Sequence, residues 1–300
     1  MAMHPGLEQA QWAVFHGPIA EAVPLLEGLT SLDDHAQVYA RWLHGVALGA
    51  CGRYGEALEL VELIPQGTPE FSMARSLRGS LLRQIGVHDL ALLADRQAMS
   101  AAATPGAAIE ALTGLSADAV GLQDAASAAS TLAQAGSLLE RVSADPVTAP
   151  TWWRHRVRVE WVRCEVALLQ ERAGEAADHA ALALAAAEAA TAPRHVAKSL
   201  LFTGVTQIES GDPAAALPTL RRAVMLSSSM GFQAVAWPTH AVLAALLQAS
   251  DPKAAQEHAK QASTITAQLR RGLSGQLAAR WDERADIRAL HQAASATGQS

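Results

Sequence analysis

The sequence predicts an all-α protein assembled from repeated antiparallel helix pairs, and two observations carry this prediction. Alanine fills 66 of the 300 positions, while Phe, Tyr and Trp together reach only 4%, a composition that favours closely packed helices over β-sheets. A fixed spacing of small residues also recurs along the chain, as expected when one supersecondary unit is stacked several times.

The recurring unit consists of two glycines seven residues apart, followed after five residues by an alanine. A glycine inside a helix costs about 1 kcal/mol relative to alanine, so we expect the first glycine to permit close approach of a second helix. The second glycine suits a turn with positive φ, and the alanine lies on the returning helix. The unit occurs in the segments Gly45–Ala57, Gly79–Ala91, Gly114–Ala126 and Gly204–Ala216.

Weaker copies extend the series to both ends of the chain. Gly17 and Ala22 begin it, and Ser250 and Ala255 continue it. In the last two turns an aspartate precedes a proline, which suits a helix N-cap followed by the first helical position. The interval from turn position 121 to turn position 211 leaves room for one further unit, so we predict about seven helix pairs.

These units divide the chain into four predicted parts. Repeats one to four occupy residues 1–142, a loop with two prolines occupies 143–150, and repeats five to seven occupy 151–270. We interpret the loop as an enlarged inter-repeat connection because the repeats resume on both sides of it. The last pair cannot leave an apolar flank in water, and an amphipathic helix within residues 271–296 is predicted to cap it.

The segment VYARWLHGVALGACGRYGEALELVELIP, Val38–Pro65, resembles a tetratricopeptide repeat. Its small residues Gly45 and Ala57, its turn at Gly52 and its closing Pro65 carry the match. The later units, with turns 39 residues apart, resemble the longer repeats of large bacterial transcriptional activators. The resemblance covers nearly the whole chain and implies a right-handed superhelical solenoid. It is divergent, because the aromatic residue often found three positions after the first small residue is replaced by Leu48, Leu82 and Gln207.

The basic segment TWWRHRVRVEWVRC, Thr151–Cys164, is predicted to belong to the first helix of the fifth pair. Its arginines alternate with other residues as in a strand, but the apolar pairs that begin at Trp161 break the alternation. We therefore predict a helix over Trp152–Gln170. Two registers remain for this pair: one aligns Ala177 with the later repeats, and the other uses Gly174 as the turn glycine. We prefer the first.

In tetratricopeptide proteins the first helices of successive pairs line a concave surface that receives a peptide or a partner helix. Trp, Tyr and Arg side chains dominate the binding energy of interfaces, although a single tryptophan is more often packed between repeats. The chain contains no asparagine, so the Lys and Asn clamp for a C-terminal carboxylate is absent in its usual form. The resemblance implies these concave, partner-binding candidates: Tyr39, Trp42, Met73, Ser76, Ser80, Arg83, Gln84, Arg163, Lys198, Trp237 and His240. A helical wheel of the basic segment adds Trp152 and Arg156, which share a strip with Arg163.

The charge distribution argues against nucleic acid as a partner. The net charge is −6, with 16 acidic and 7 basic residues in 1–150 (−9) and 13 acidic and 16 basic residues in 151–300 (+3). Arg156 and Arg163 each have Glu160 at helical pairing distance, which lowers the charge available to phosphates. The basic segment either meets an acidic segment of another protein or balances the acidic first half.

Motifs for catalysis, metal binding and cofactor binding were sought and are missing. The sequence has no HExxH, GxxxxGK[ST], GxGxxG or GxSxG pattern, and its eleven histidines and two cysteines lack ligand spacing. No signal peptide or long apolar run is present. We predict a cytoplasmic protein with no enzymatic activity, no cofactor, no metal and no membrane partner.

The resemblance predicts a non-catalytic scaffold that binds another protein or a peptide segment on the concave surface of a superhelix. The alternative is a ligand- or peptide-sensing regulatory domain of a bacterial signalling or transcription system. The two differ in whether binding changes the pitch of the superhelix.

Overall fold

The computed structural model describes residues 4–30 and 32–295, so the ends of the first predicted repeat and of the predicted cap fall partly outside it. Within these ranges every regular element is helical. A single 3-10 turn covers Ala149–Trp152. The α-helices are α1 (Pro5–His16), α2 (Ile19–Glu27), α3 (Asp34–Cys51), α4 (Tyr54–Glu62), α5 (Glu70–Ile85), α6 (His88–Ser100), α7 (Pro105–Gly121), α8 (Ala125–Val142), α9 (Trp153–Leu169), α10 (Ala173–Ala189), α11 (Pro193–Glu209), α12 (Pro213–Met230), α13 (Gln233–Leu247), α14 (Pro252–Arg271), α15 (Gly275–Glu283) and α16 (Ala285–Ser295).

Helices α1 to α14 pack as seven consecutive pairs, and the turn glycines act largely as predicted. Gly52, Gly86 and Gly211 have φ of 81°, 90° and 79°, a conformation in which any other residue is strained. At the fourth turn the positive φ of 61° moves to Gln123. The returning helix shifts with it, and Ala128 packs in the core.

The first glycine of each repeat allows close packing, but the side chain that packs against it differs from repeat to repeat. At Gly204 an added Cβ would lie 2.5 Å from the Leu220 side chain, as expected for a neighbouring helix. A Cβ at Gly79 would lie 2.2 Å from Oδ2 of Asp95, and one at Gly114 would lie 2.4 Å from its Oδ1. These two glycines therefore make room for a buried carboxylate.

The fifth pair has the predicted helix, with α9 close to the expected bounds, but its register differs from our preference. Ala176 is fully buried where the later pairs have Ala216 and Ala255. The preferred alignment of Ala177 is therefore wrong by one residue. A shift of one residue rotates the helix by about 100°, which changes the residues that face the interior.

The C-terminal segment also differs from its prediction as one helix. It forms two helices, α15 and α16, separated at Arg284, whose ψ of 125° is extended. Helix α16 packs against α14, where Leu290 joins Ala259 and Ala262. Helix α15 turns back towards the N-terminal half of the chain.

The solenoid closes on itself through this return. The backbones of α4 and the segment after α14 nearly touch, because a Cβ at Gly55 would lie 1.9 Å from the carbonyl oxygen of Gly272. Trp281 on α15 is 1% exposed, with its ring centroid 6.5 Å from that of Tyr54. Arg284 Nη1 donates a hydrogen bond of 2.7 Å to the backbone oxygen of Gln84. The C-terminal helices therefore contact the second and third repeats.

Helix α1 also contacts helices from the second half of the chain. Phe15 on α1 packs edge-on against Trp153 on α9, with 6.4 Å between ring centroids. One core cluster joins residues of α1, α3 and α4 to Phe232 and Val235 near the start of α13 and to Trp281. Because opposite walls touch, the inner face of the solenoid forms partly open cavities instead of one continuous groove. No helix described between residues 4 and 295 has the length and apolarity needed to cross a membrane.

Candidate functional site

Closure of the solenoid leaves a cavity, partly open to solvent, between α5, α9, α11 and α13. It has two adjoining chambers of about 460 Å³ and 260 Å³, which we call the central cavity. Arg194, His195, Trp237 and Arg284 extend the larger chamber. The residues that line both chambers are Ser80, Arg83, Gln84, Arg158, Trp161, Glu165 and Lys198.

The helical repeat explains why these side chains converge. Arg158, Trp161 and Glu165 follow each other by three and four residues on α9, so they share one face of the helix. Arg154 and Arg158 are each followed 40 residues later by a cation, Arg194 and Lys198, on the matching face of α11. Basic residues thus occupy equivalent positions in two successive repeats.

The structure brings five of the candidates from the sequence into the central cavity: Ser80, Arg83, Gln84, Lys198 and Trp237. Trp42, Met73 and Ser76 line a smaller recess of about 60 Å³ beside Arg154 and Arg194. Tyr39 lies outside these spaces; its hydroxyl donates a hydrogen bond of 2.8 Å to Gln11 Oε1, and its ring packs on that of Trp42.

Four candidates do not face the interior. Arg156 lies two positions from both Arg154 and Arg158, which places it on the opposite side of α9. Arg163 donates a hydrogen bond of 2.7 Å to Glu160 and lies against Gly136 of α8.

The other two candidates, Trp152 and His240, pack against neighbouring imidazole rings. Trp152 packs with the core cluster shared by α7, α8 and α9, with its ring 5.1 Å from that of His155. His240 faces His258 on α14, with 2.8 Å between their Nδ1 atoms. The register error explains why Arg163 was predicted to face the interior. In the observed register, Arg158 and Trp161 face inward instead.

The cavity wall also contains residues that were not among the candidates from the sequence, including Arg158, Trp161, Arg194, His195 and Arg284. The 40-residue offset between the basic residues of α9 and α11 could have indicated that Arg158 and Arg194 face the same side of the solenoid. Arg284 reaches the cavity only because the solenoid closes, and no local pattern indicates that contact.

Two arginines of the inner face, Arg154 and Arg158, form ion pairs with a buried carboxylate. Arg154 Nη2 lies 2.9 Å from Glu110 Oε1, and Arg158 Nε lies 2.9 Å from Oε2 of the same residue. Burial alone would raise the pKa of Glu110, but Arg154 and Arg158 outweigh burial and lower the pKa to about 2. One carboxylate thus serves two guanidinium groups.

Arg194 and Lys198 are less well compensated. In the described part of the chain, neither has an ion pair or hydrogen bond of its own. Lys198 Nζ instead lies 4.5 Å from the ring centroid of Trp161 and 5.5 Å from that of Phe202. Burial lowers the pKa of Lys198 to about 8 despite the opposing charge of Glu165. Burial, with Arg154 and Arg158, lowers the pKa of Arg194 to about 10.

Arg83 lies between two buried carboxyl groups. Its Nη1 lies 2.5 Å from Asp95 Oδ2 and 2.7 Å from Asp118 Oδ1, and both acidic side chains are fully buried. Burial raises the pKa of Asp118 to about 7, and burial also raises the pKa of Asp95. One guanidinium cannot fully compensate two carboxylates, so we infer that the pair retains one proton at mildly acidic pH.

We expect Asp118→Asn to change how stability depends on pH. Because the folded-state pKa of Asp118 lies above its ordinary value of 3.8, the folded protein binds more protons than the unfolded chain in this range. The stability from this proton is fully present below pH 3.8 and is lost as the pH rises through about 7. Relative to wild type, the variant should therefore gain about 1 to 3 kcal/mol of unfolding free energy between pH 5 and pH 8.

Urea denaturation at several pH values measures this difference, and Asp178→Asn, which removes an exposed carboxylate on α10, is the control. A constant offset between Asp118→Asn and wild type across this pH range would show that Asp118 does not titrate there.

Comparison with known proteins identifies the fold. No protein-family model matches the sequence, and a search of curated proteins found no relative. A Rap protein complexed with Competence and Sporulation Factor superposes with a TM-score of 0.58 at 14% identity, over 95% of this chain and 79% of that chain.

Two further solved structures are similar. One is a STAND protein with a tetratricopeptide repeat sensor from Pyrococcus horikoshii, with a TM-score of 0.55 at 16% identity, over 89% of this chain and 38% of that one. The other is the APC/C hetero-tetramer Cut9–Hcn1, with a TM-score of 0.56 at 14% identity, over 90% and 55%. This chain spans less than two thirds of either. It has the helical-repeat solenoid fold of tetratricopeptide proteins.

Proposed function

We propose that this chain is a non-catalytic binding module that receives a short, extended peptide segment in its central cavity. The observation that carries the proposal is the pair of adjoining, partly open chambers that the inner helices line. Concave surfaces of helical repeats serve as binding surfaces. In this protein the concave surface lines the central cavity of a closed solenoid, so the ligand must be small enough to fit in that cavity.

The dimensions favour a short segment over a whole partner helix. An α-helix with its side chains is about 10–12 Å wide, whereas cavities of about 300–1,000 Å³ accommodate small ligands. The larger chamber, at about 460 Å³, falls in that range. Leu201 and Trp237 supply apolar walls, and Ser80 and Gln84 offer polar groups for a peptide backbone.

Two of the similar structures support binding as the role of this fold. The Rap protein was solved with Competence and Sporulation Factor, and the Cut9–Hcn1 structure is a hetero-tetramer. The STAND protein carries a repeat unit described as a sensor. Sensing is therefore the second candidate role for this chain, and the contact of α15 with α4 and α5 is the element that an occupant would tighten or release.

A cavity-filling variant tests peptide binding. Affinity selection on the purified chain would use a pool of heptapeptides, acetylated at the N-terminus and amidated at the C-terminus, with mass spectrometry as the readout. Ser80→Trp places an indole at the junction of the chambers and should abolish retention. Ser130→Trp, on the exposed face of α8, should retain the same peptides as wild type.

Thermal unfolding of both variants verifies that they are folded. Failure of wild type to retain any peptide, or equal retention by Ser80→Trp, would contradict the proposal.

A further inference from the structure

The walls of the larger chamber carry more positive than negative charge. Glu165 is the only carboxylate on the wall among the described residues. Against it stand the five cationic side chains Arg83, Arg158, Arg194, Lys198 and Arg284.

Three of these cations have carboxylates beside them. Arg83 has Asp95 and Asp118, Arg158 shares Glu110, and Arg284 is held by Asp286. Within the ranges that the structure describes, Arg194 and Lys198 form no ion pair; Lys198 has only the more distant charge of Glu165, so the least compensated charge lies on α11.

A second observation concerns the polar group beside these cations. His195 neighbours both cations on α11 and is 1% exposed, yet its Nδ1 has no hydrogen-bond partner in the described part of the chain. Its ring stacks on Trp161 at 5.3 Å with an interplanar angle of 11°. Burial and then the surrounding cations, with Arg194 first among them, hold the pKa of His195 well below its ordinary value. The site thus has unused cationic donors on Arg194 and Lys198 and an electrostatic field that disfavours protonation of His195.

We propose that the central cavity binds a carboxylate, supplied by an aspartate or glutamate side chain of the bound peptide, between Arg158, Arg194 and Lys198. The guanidinium groups offer bidentate hydrogen bonds to a carboxylate, and the ammonium adds a point charge. Glu165 lies in the same chamber and repels a second negative charge, so the site suits a singly charged group better than a doubly charged one. Leu201 and Trp237 flank the chain that carries the carboxylate.

This inference rests on the proposed peptide-binding function, and a matched pair of peptide pools tests it. Both pools contain heptapeptides with blocked termini and uncharged flanking residues, one with Glu and the other with Gln at the central position. Calorimetric titration of the full chain should give about ten-fold or more tighter binding for the Glu pool, with the advantage shrinking at high salt. Equal affinity for the two pools would overturn the proposal.

The variant Arg194→Gln distinguishes the effect of cavity charge on binding from the effect of cavity shape. Without ligand the variant should unfold at a higher temperature than wild type, because repulsion with Arg154 and Arg158 is relieved. With ligand it should lose the preference for Glu over Gln. Arg141→Gln, on the exposed part of α8, should change neither property. A variant Arg194→Gln that keeps the full preference would overturn the assignment of this residue.

A free carboxylate distinguishes this inference from the peptide function. Acetate should raise the unfolding temperature of wild type more than that of Arg194→Gln at matched ionic strength. If neither peptide pool binds but acetate has this effect, the carboxylate site is supported and the peptide function is wrong. If both pools bind wild type equally and neither binds Ser80→Trp, the peptide function is supported and the carboxylate site is wrong.

Discussion

Replacing Trp281 by alanine is expected to lower the free energy of unfolding by about 3 to 5 kcal/mol, the usual cost of removing a large buried aromatic side chain. Trp281 is 1% exposed and packs between Tyr54 on α4 and Trp237 on α13, with centroid distances of 6.5 Å and 6.3 Å. The guanidinium of Arg284 lies 5.0 Å from its ring centroid. One side chain thus holds together three separate parts of the chain.

Urea denaturation measures this loss, and Trp12→Ala is the matched control. Trp12 is 59% exposed on α1, so its replacement should change the unfolding free energy by no more than about 0.5 kcal/mol. If Trp281→Ala costs no more than Trp12→Ala, then α15 is not packed on the N-terminal repeats in solution.

Replacing Arg83 by methionine should cost about 3 to 5 kcal/mol at pH 8, because it leaves two fully buried carboxylates without a counter-charge. Methionine keeps the length of the side chain, so the loss reports mainly on charge. The cost should fall at pH 5, where Asp95 and Asp118 can take up protons more readily. Chemical denaturation at the two pH values gives both numbers.

Two further variants establish the cause of that loss. Adding Asp95→Asn and Asp118→Asn to Arg83→Met removes the buried charges and should recover a large part of the stability at pH 8. Arg96→Met, on the exposed side of α6, should be nearly neutral. An Arg83→Met variant as stable as Arg96→Met, or a triple variant with no recovery, would show that these charges are not coupled.

The sequence was sufficient to predict the repeat architecture because the signals are local. A positive φ at Gly52, Gly86 and Gly211 follows from the need to end one helix and begin the next within a few residues. The helical assignment of α9 rested on apolar periodicity, which extends over many residues and tolerates small errors.

The candidate site was less predictable because it depends on register and on distant contacts. An error of one residue in the fifth pair rotated α9 enough to select Arg163 instead of Arg158. The break at Arg284 has no glycine or proline to announce it, and its hydrogen bond to Gln84 joins residues 200 positions apart. Such a contact cannot be deduced from the periodicity of either segment. It converts the expected open concave surface into a cavity.

Closure also connects stability with binding. The residues that seal the ring, Trp281 and Arg284, lie beside Trp237, which lines the larger chamber. An occupant that contacts Trp237 therefore touches the same aromatic cluster that holds α15 in place. Loosening this cluster is expected to weaken peptide binding even where the cations of α11 are intact.

The central claim is that the C-terminal helices fold back on the N-terminal repeats, and a double-mutant cycle between Tyr54 and Trp281 tests it most directly. Unfolding free energies of Tyr54→Leu, Trp281→Leu and the double variant give the coupling energy between side chains 227 positions apart in sequence. Closure predicts a coupling of about 0.5 to 1.5 kcal/mol, as for other packed aromatic pairs. Additive effects, with a coupling within about 0.3 kcal/mol of zero, would contradict a closed solenoid and with it the central cavity.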